Sequence, residues 1–455
     1  MDRTERLDPN RTQMTGAPSS DPMRTQALGA MPDAGRTAAL TPEKALSASI
    51  VPGRAVTLAN GPAREQFLIE IHAVGSDAPS GLPGSRTPLN LCLVLDRSGS
   101  MEGPPLEFAK QACTRLVDLL GPEDVLSIVT FEETVDLMMR TQRVTDRQTI
   151  KDAIQRIVPG NTTNFYDGIA YGLQQVTQVT DPGRATRMMV LSDGEPTVGV
   201  KAYGALVQFA GDVKARGVTM SFLGFGPDYN EELLAGMAKK AGGNYYYIPQ
   251  PELLPEVFRA EIEKLMTVVA RNLELDLRMA RWVQLRSSQA QAGERAVTIP
   301  LADLERGVTI QHVVDLEFPN HPLGHYRVAN GRLRYDDCLS GRQEVIDLDL
   351  VIEFSADAGA YSVPVDPRVR QAADIAQTSR TVEKTVMGLK TGQVTVMGAI
   401  QELEKTKALL FAEGKTAEAQ EVTLALRALR QGDAGTAEKT LLGTMVQLDQ
   451  GKKAD

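Results

Sequence analysis

The stretch LNLCLVLDRSGSM, from Leu89 to Met101, decides the fold. It begins as an apolar run, which is typical of a strand buried on both faces of a parallel sheet. The run ends at Asp96, and the polar loop that follows contains Ser98 and Ser100. From Pro104 to Leu120 the apolar residues recur with a helical period of about 3.6 residues. A buried strand, a polar loop and an amphipathic helix in this order predict the first unit of an α/β sheet.

The alternation of strand and helix continues to about residue 270, so we predict an α/β domain over residues 88–270. Short apolar strands between amphipathic helices indicate a doubly wound, mostly parallel sheet. TVDLMMR follows DVLSIVTF after only two residues, Glu132 and Glu133, which favours a hairpin at that point. We expect a closing helix from Glu252 to about Val269.

Strand-rich segments lie on both sides of the predicted α/β domain. Residues 43–87 contain LSASIV and EQFLIEIHAV, and residues 271–365 alternate apolar and polar positions between turn signals. We predict that these two segments form a β-sandwich into which the α/β domain is inserted, or which flanks it. Helical periodicity over residues 366–455 predicts an antiparallel helical bundle docked on the sandwich.

The first 42 residues are rich in Pro, Gly, Ser, Thr and Arg, and the first aromatic residue of the chain is Phe67. Such a composition predicts a disordered tail. Thr12, Thr25 and Thr37 each follow an arginine directly. They are possible phosphoacceptors that a phosphothreonine-binding domain, such as a forkhead-associated domain, could read.

The overall composition excludes several classes of protein. A net charge of -9 and a pI of about 5.3 disfavour a nucleic-acid binder, which needs a basic surface. No signal peptide and no apolar stretch of membrane-spanning length is evident, so we expect a cytoplasmic protein without a membrane span. The three cysteines, Cys92, Cys113 and Cys338, cannot all pair within one chain, which favours buried free thiols in a reducing compartment.

The D-x-S-x-S pattern at Asp96, Ser98 and Ser100 resembles the metal-ion-dependent adhesion site of von Willebrand factor A domains. Two later motifs extend the resemblance. GNTTN at residues 160–164 is similar to the threonine loop of that family, and VLSDGEP places Asp193 where the family has its second aspartate. The similarity covers residues 88–270 and is strongest to a bacterial branch with calcium-activated chloride-channel-like and inter-α-inhibitor-like domains.

The resemblance implies a site for a divalent cation, with ligands that act directly or through water. The implied ligands are Asp96, Ser98, Ser100, Thr163 and Asp193. Thr162 is the alternative to Thr163. We prefer Thr163, because the family threonine usually precedes an asparagine, here Asn164. Carboxylates and hydroxyls are hard oxygen donors, so Mg²⁺ is the expected ion, with Ca²⁺ or Mn²⁺ as alternatives.

The sequence favours a binding module over an enzyme. It contains no P-loop and no H-E-x-x-H motif, and residues 88–270 contain no histidine. Glu195 is the one candidate general base near the metal loops, and we expect it to support the loop instead. We therefore predict a metal-dependent protein–protein interaction module that binds an Asp or Glu of a protein partner. The alternatives are a scaffold regulated by phosphorylation of the tail and a co-subunit of an AAA+ ATPase.

Overall fold

The computed structural model describes residues 44–74, 86–193, 195–226, 229–286 and 295–454. The predicted tail, with Thr12, Thr25 and Thr37, lies outside the described residues, so its disorder and its phosphorylation stay predictions.

The helices and strands follow one another in four groups. The first group is β1 (Leu46–Pro52), β2 (Val56–Leu58) and β3 (Ala63–Ala73). The second group is β4 (Leu89–Asp96), α1 (Pro104–Leu119), β5 (Val125–Phe131), β6 (Val135–Arg143), α2 (Arg147–Gln155), α3 (Phe165–Val176), β7 (Ala185–Ser192), α4 (Tyr203–Ala215), β8 (Thr219–Phe225), α5 (Glu231–Ala241), β9 (Tyr245–Ile248) and α6 (Leu254–Met266). The third group is β10 (Val268–Met279), β11 (Gln284–Leu285), β12 (Ala296–Pro300), β13 (Leu304–Glu305), β14 (Val308–Phe318), β15 (Gly324–Asp337) and β16 (Arg342–Ser355). The last group is α7 (Ala358–Tyr361), α8 (Pro367–Lys390), α9 (Val396–Ala412), α10 (Thr416–Arg430), α11 (Ala434–Asp449) and β17 (Lys452–Ala454).

The central sheet has the strand order β6-β5-β4-β7-β8-β9. All neighbours are parallel except β6, which is antiparallel to β5 as the hairpin prediction requires. From β4 the chain builds β5 on one side and later adds β7 on the other. The order therefore reverses between β4 and β7, and loops at such a point surround a crevice outside the carboxyl ends of the strands. The predicted doubly wound α/β fold is confirmed.

The residues of β4, β5, β7 and β8 are all buried, which explains why these strands appear as apolar runs. Helices cover both faces of the sheet. The predicted end of the closing helix is wrong by a few residues: α6 ends at Met266, and Val268 already begins β10. Val268 and Val269 are β-branched residues that are buried as part of the following sheet.

The two strand-rich segments pair with each other, as the predicted sandwich requires. In one sheet β3 is antiparallel to both β1 and β14, and in the other β10, β15 and β16 are neighbours. The strand β15 lies within the strand-rich segment 271–365, but its own sequence did not indicate a separate strand. Its outward face is charged, with Arg327 and Arg332 paired to carboxylates of β16, which hides the apolar alternation.

The helical bundle packs mainly on the α/β unit, so the predicted docking on the sandwich is only partly right. One continuous apolar core contains Val94 and Met188 of the central sheet together with Leu441 and Val446 of α11. The sandwich meets the bundle at α8, where Val369 and Ala372 pack with Val51 and Leu68. The bundle packs on the α/β unit because β9 and α5 present an apolar surface to α11. Among the described helices, none has both the length and the apolar character needed to cross a membrane.

Candidate metal centre

Asp96 is the last residue of β4 and its side chain is fully buried. Its carboxylate accepts hydrogen bonds from the Ser98 amide at 2.8 Å and from the Ser192 hydroxyl at 2.6 Å. Burial raises the pKa of Asp96 to about 6; the bonds from Ser192 and Ser98 oppose the rise, and the charge of Asp193 adds to it. Sequence reasoning missed Ser192. The signal was available, since this serine ends the strand that leads directly to Asp193.

Ser98, Ser100 and Asp193 form a continuous chain of hydrogen bonds. The two serine hydroxyl oxygens are 3.2 Å apart, and the Ser100 hydroxyl donates to Asp193 Oδ1 at 2.7 Å. Ser98 is buried and Ser100 is exposed, so the chain leads from the interior to the surface. Burial raises the pKa of Asp193, and the bond from Ser100 opposes the rise. Four of the five predicted ligands therefore meet at the carboxyl ends of β4 and β7.

The threonine loop is held between the other two loops by backbone hydrogen bonds. The Gly160 amide donates to the Arg97 carbonyl at 2.6 Å, and the Gly99 amide donates to the Asn161 carbonyl at 3.2 Å. A Cβ atom at position 99 would lie 3.3 Å from that carbonyl oxygen, so glycine allows the close approach. These bonds bring the predicted ligand Thr163, two residues further on, to the same edge of the sheet.

Thr163 is also tied to the loop after Asp193. Its amide donates to the Thr197 hydroxyl at 2.9 Å, and its carbonyl accepts from the Thr197 amide at 3.0 Å. Thr197 was missed by sequence reasoning, because nothing in the sequence links residues 34 positions apart. The alternative ligand Thr162 stays open, since its hydroxyl oxygen is buried without a hydrogen-bond partner among the described residues.

Charge in the centre is not balanced by protein cations. Arg97 lies next to Asp96 in the sequence, but its guanidinium is turned to Asp136 at 2.7 Å and to Glu132 at 3.4 Å. Among the described residues, no basic side chain forms an ion pair with Asp96 or Asp193. Two carboxylates with neutral hydroxyls between them are an oxygen donor set that fits one hard divalent cation. Among the described residues, no group of three or more His, Cys, Asp and Glu side chains is placed to hold a metal ion. A metal ion at this centre would therefore need the hydroxyl oxygens as ligands in addition to the two carboxylates.

The chain is similar in sequence to known proteins over this region. Residues 90–260 match the family model of the von Willebrand factor type A domain. An uncharacterized protein of Synechocystis sp. is 29% identical over 336 residues, which is 69% of this chain and 77% of that protein. The human inter-alpha-trypsin inhibitor heavy chain H3 is 27% identical over 174 residues, which is 36% of this chain and 19% of that protein. The chain thus spans about a fifth of that human relative.

Two solved structures share the fold over most of the chain. A von Willebrand factor type A protein from Catenulispora acidiphila superimposes with a TM-score of 0.68 at 15% identity, covering 84% of this chain and 90% of that one. The ArnB paralog VWA2 from Sulfolobus acidocaldarius gives a TM-score of 0.62 at 18% identity, covering 88% and 98%. Coverage of this extent includes the flanking parts as well as the central sheet.

Proposed function

Since residues 90–260 match the family model of the von Willebrand factor type A domain, we propose that this protein is a metal-dependent binding protein whose partner contributes an Asp or Glu carboxylate. Domains of this type generally mediate metal-dependent protein interactions, and the particular function is our inference. The observation that carries it is the hydrogen-bonded chain from buried Asp96 through Ser98 and Ser100 to Asp193. This series of hydrogen bonds places two carboxylates without a basic partner and two hydroxyls at one edge of the sheet.

Each residue has a separate part in this proposal. A bound divalent cation, with Mg²⁺ preferred for a site of hard oxygen donors, supplies an electrophilic centre that attracts a carboxylate. Asp96 and Asp193 balance its charge, and Ser98, Ser100 and Thr163 are neutral donors. Ser192 fixes the orientation of Asp96 through its 2.6 Å hydrogen bond. Such bonds behind metal ligands commonly govern metal affinity.

Binding, and not catalysis, is the activity that we propose for the centre. Residues 88–270 contain no histidine to act as a general base. Glu195 is exposed at the edge of the centre, two residues after Asp193. No hydrogen bond or ion pair with another described residue orients the Glu195 carboxylate for proton transfer. We therefore assign Glu195 to the surface that meets the partner.

Calorimetric titration of the full chain with Mg²⁺ tests the proposal. We expect Asp96→Ala to abolish measurable binding, because it removes the buried carboxylate of the centre. Asp152→Ala is the matched control: Asp152 is exposed on α2, where it accepts a hydrogen bond from Gln148, and its loss should leave Mg²⁺ affinity unchanged. Circular dichroism establishes that both variants are folded. Unaltered Mg²⁺ binding by a folded Asp96→Ala variant contradicts the proposal.

A second experiment addresses the partner. The chain is used to capture proteins from native lysate with Mg²⁺ and again with EDTA. We expect the captured protein to be released by EDTA and not retained by Asp96→Ala. If neither EDTA nor Asp96→Ala reduces capture, the metal centre is not the binding surface.

A further inference from the structure

The surface around the candidate centre is acidic. Glu133 lies beside the threonine loop, where its carbonyl accepts a 3.3 Å hydrogen bond from the Asn164 side chain. Glu195 lies in the loop that follows Asp193, two residues further along the chain. Both side chains are exposed, and neither forms an ion pair with any residue that the structure describes. We call Glu133 and Glu195 the acidic rim.

Basic side chains do little to offset this rim. Arg97 is engaged by Glu132 and Asp136, which leaves exposed Lys201 as the other basic residue on these loops. An isolated carboxylate that approaches the centre therefore meets repulsion from Glu133 and Glu195. A ligand that carries a positive charge close to its carboxylate converts this repulsion into attraction, since complementary charge across an interface governs partner selection.

The chain itself contains this chemistry three times. The segments DPNRT, DPMRT and DAGRT occupy residues 8–12, 21–25 and 33–37. Each begins with an aspartate and ends with an arginine and a threonine, and two uncharged residues lie between the aspartate and the arginine. In every copy the arginine follows the aspartate by three positions. Three residues of extended chain span about 10 Å. Asp193 and Glu195 are two residues apart, or at most about 7 Å between Cα atoms, so one segment can reach both the centre and Glu195.

We propose that the metal centre selects an aspartate followed three residues later by an arginine, and that the D-x-x-R-T segments of a second copy of this chain supply it. The proposal rests on the proposed function and adds the partner. The aspartate takes the position of the acidic ligand, and the arginine pairs with Glu133 or Glu195. Three segments per chain make the association multivalent, which raises its strength beyond that of one contact.

The first test measures one segment by itself. The receptor is the full chain with Asp8→Asn, Asp21→Asn and Asp33→Asn combined, so that its own segments lack their carboxylates. The probe is a labelled peptide of residues 5–16, followed by fluorescence anisotropy in Mg²⁺. We expect saturable binding that EDTA and Asp96→Ala abolish. An Arg11→Ala peptide should bind at least fivefold more weakly.

The acidic rim is tested with the same peptides. In a receptor that also carries Glu133→Gln and Glu195→Gln, the two peptides should differ by less than twofold, because the partner of Arg11 is gone. If the Arg11→Ala peptide and the unsubstituted peptide bind equally well to the receptor with Glu133 and Glu195 intact, the proposed selection of an arginine is wrong. The Asp152→Ala substitution serves as a remote control and should change neither affinity.

The second test measures association of whole chains by sedimentation velocity. We expect Mg²⁺-dependent self-association of the full chain, loss of it in the triple Asp→Asn variant, and retention in a Thr12→Ala, Thr25→Ala, Thr37→Ala variant. Association that persists in the triple Asp→Asn variant overturns the proposal. If a plain glycine–aspartate–glycine peptide binds with Mg²⁺ and the chain's own peptide does not, this inference fails and the proposed function stands. If Mg²⁺ itself does not bind in calorimetry, the proposed function fails.

Discussion

The hydroxyl of Ser100 donates a 2.7 Å hydrogen bond to Asp193, a residue 93 positions further along the chain. Ser100 follows β4 and Asp193 follows β7, and these two strands are parallel neighbours in the sheet. The pairing of the strands thus brings two distant loops to one point at their carboxyl ends. Substitutions that act on this point should alter metal affinity without unfolding the sheet.

Ser192→Ala should lower Mg²⁺ affinity by about tenfold, because it removes a hydrogen bond that orients the carboxylate of Asp96. Calorimetry at neutral pH measures the change. Ser127→Ala is the matched control, since Ser127 is a buried serine on the neighbouring strand β5 and is not part of the centre. Equal affinities of the two variants would show that Ser192 has no role in positioning Asp96.

The two adjacent threonines should respond differently to substitution. We expect Thr163→Ala to weaken Mg²⁺ binding by about tenfold or more through loss of a ligand, and Thr162→Ala to change it by less than about twofold. Each variant is the control for the other, because both lie in one loop. The opposite result assigns the ligand to Thr162, whose buried hydroxyl has no partner among the described residues.

Gly243→Ala should destabilise the protein by about 3 kcal/mol, because overpacking against a rigid neighbour has this magnitude. A Cβ atom at position 243 would lie 1.9 Å from the Met220 carbonyl oxygen, which is part of β8 and cannot move aside. At Gly204 in α4 an added Cβ meets nothing within 4 Å, so Gly204→Ala should stabilise by about 0.5 kcal/mol. Urea unfolding compares the two variants. A Gly243→Ala protein as stable as the parent would contradict the close packing of Gly243 against the Met220 carbonyl.

The stability of the protein should depend on the charge of Asp303 in a defined pH range. Asp303 is buried between Arg187 at 3.3 Å and Lys214 at 3.5 Å. Burial would raise the pKa of Asp303, but Lys214 and Arg187 outweigh burial and lower it to about 2. A lowered pKa means that the charged form contributes stability above the ordinary value of 3.8, and that this contribution is lost as the pH falls towards 2.

Asp303→Asn should therefore destabilise the protein by about 3 kcal/mol at pH 7, because it leaves the buried Arg187 and the largely buried Lys214 without this carboxylate. The difference from the parent protein should be the same at pH 7 and pH 5, and should shrink below about pH 4. Unfolding by urea at each pH provides the measurement. A difference that grows on acidification would contradict the direction of the pKa shift.

Local patterns along the chain were sufficient for the central sheet. The apolar runs around Val94 and Val190 indicated strands buried on both faces, and the short link before Thr134 indicated the hairpin of β5 and β6. The same reasoning failed for β15, because a strand with charged residues on one face and Gly331 in its interior has a weak apolar period. It also identified only one of the two neighbours of the helical bundle, since an apolar helix face does not specify what it packs against.

By itself the sequence determined the kinds of elements, their order and the chemistry of the proposed ligands, because periodicity and side-chain type are properties of neighbouring residues. The tertiary structure alone decided that β3 pairs with β14 and that α11 packs on β9. It also revealed Ser192 and Thr197 as the residues that hold Asp96 and Thr163. These contacts join positions far apart in the chain, and their free energy depends on register and packing, which no local pattern encodes.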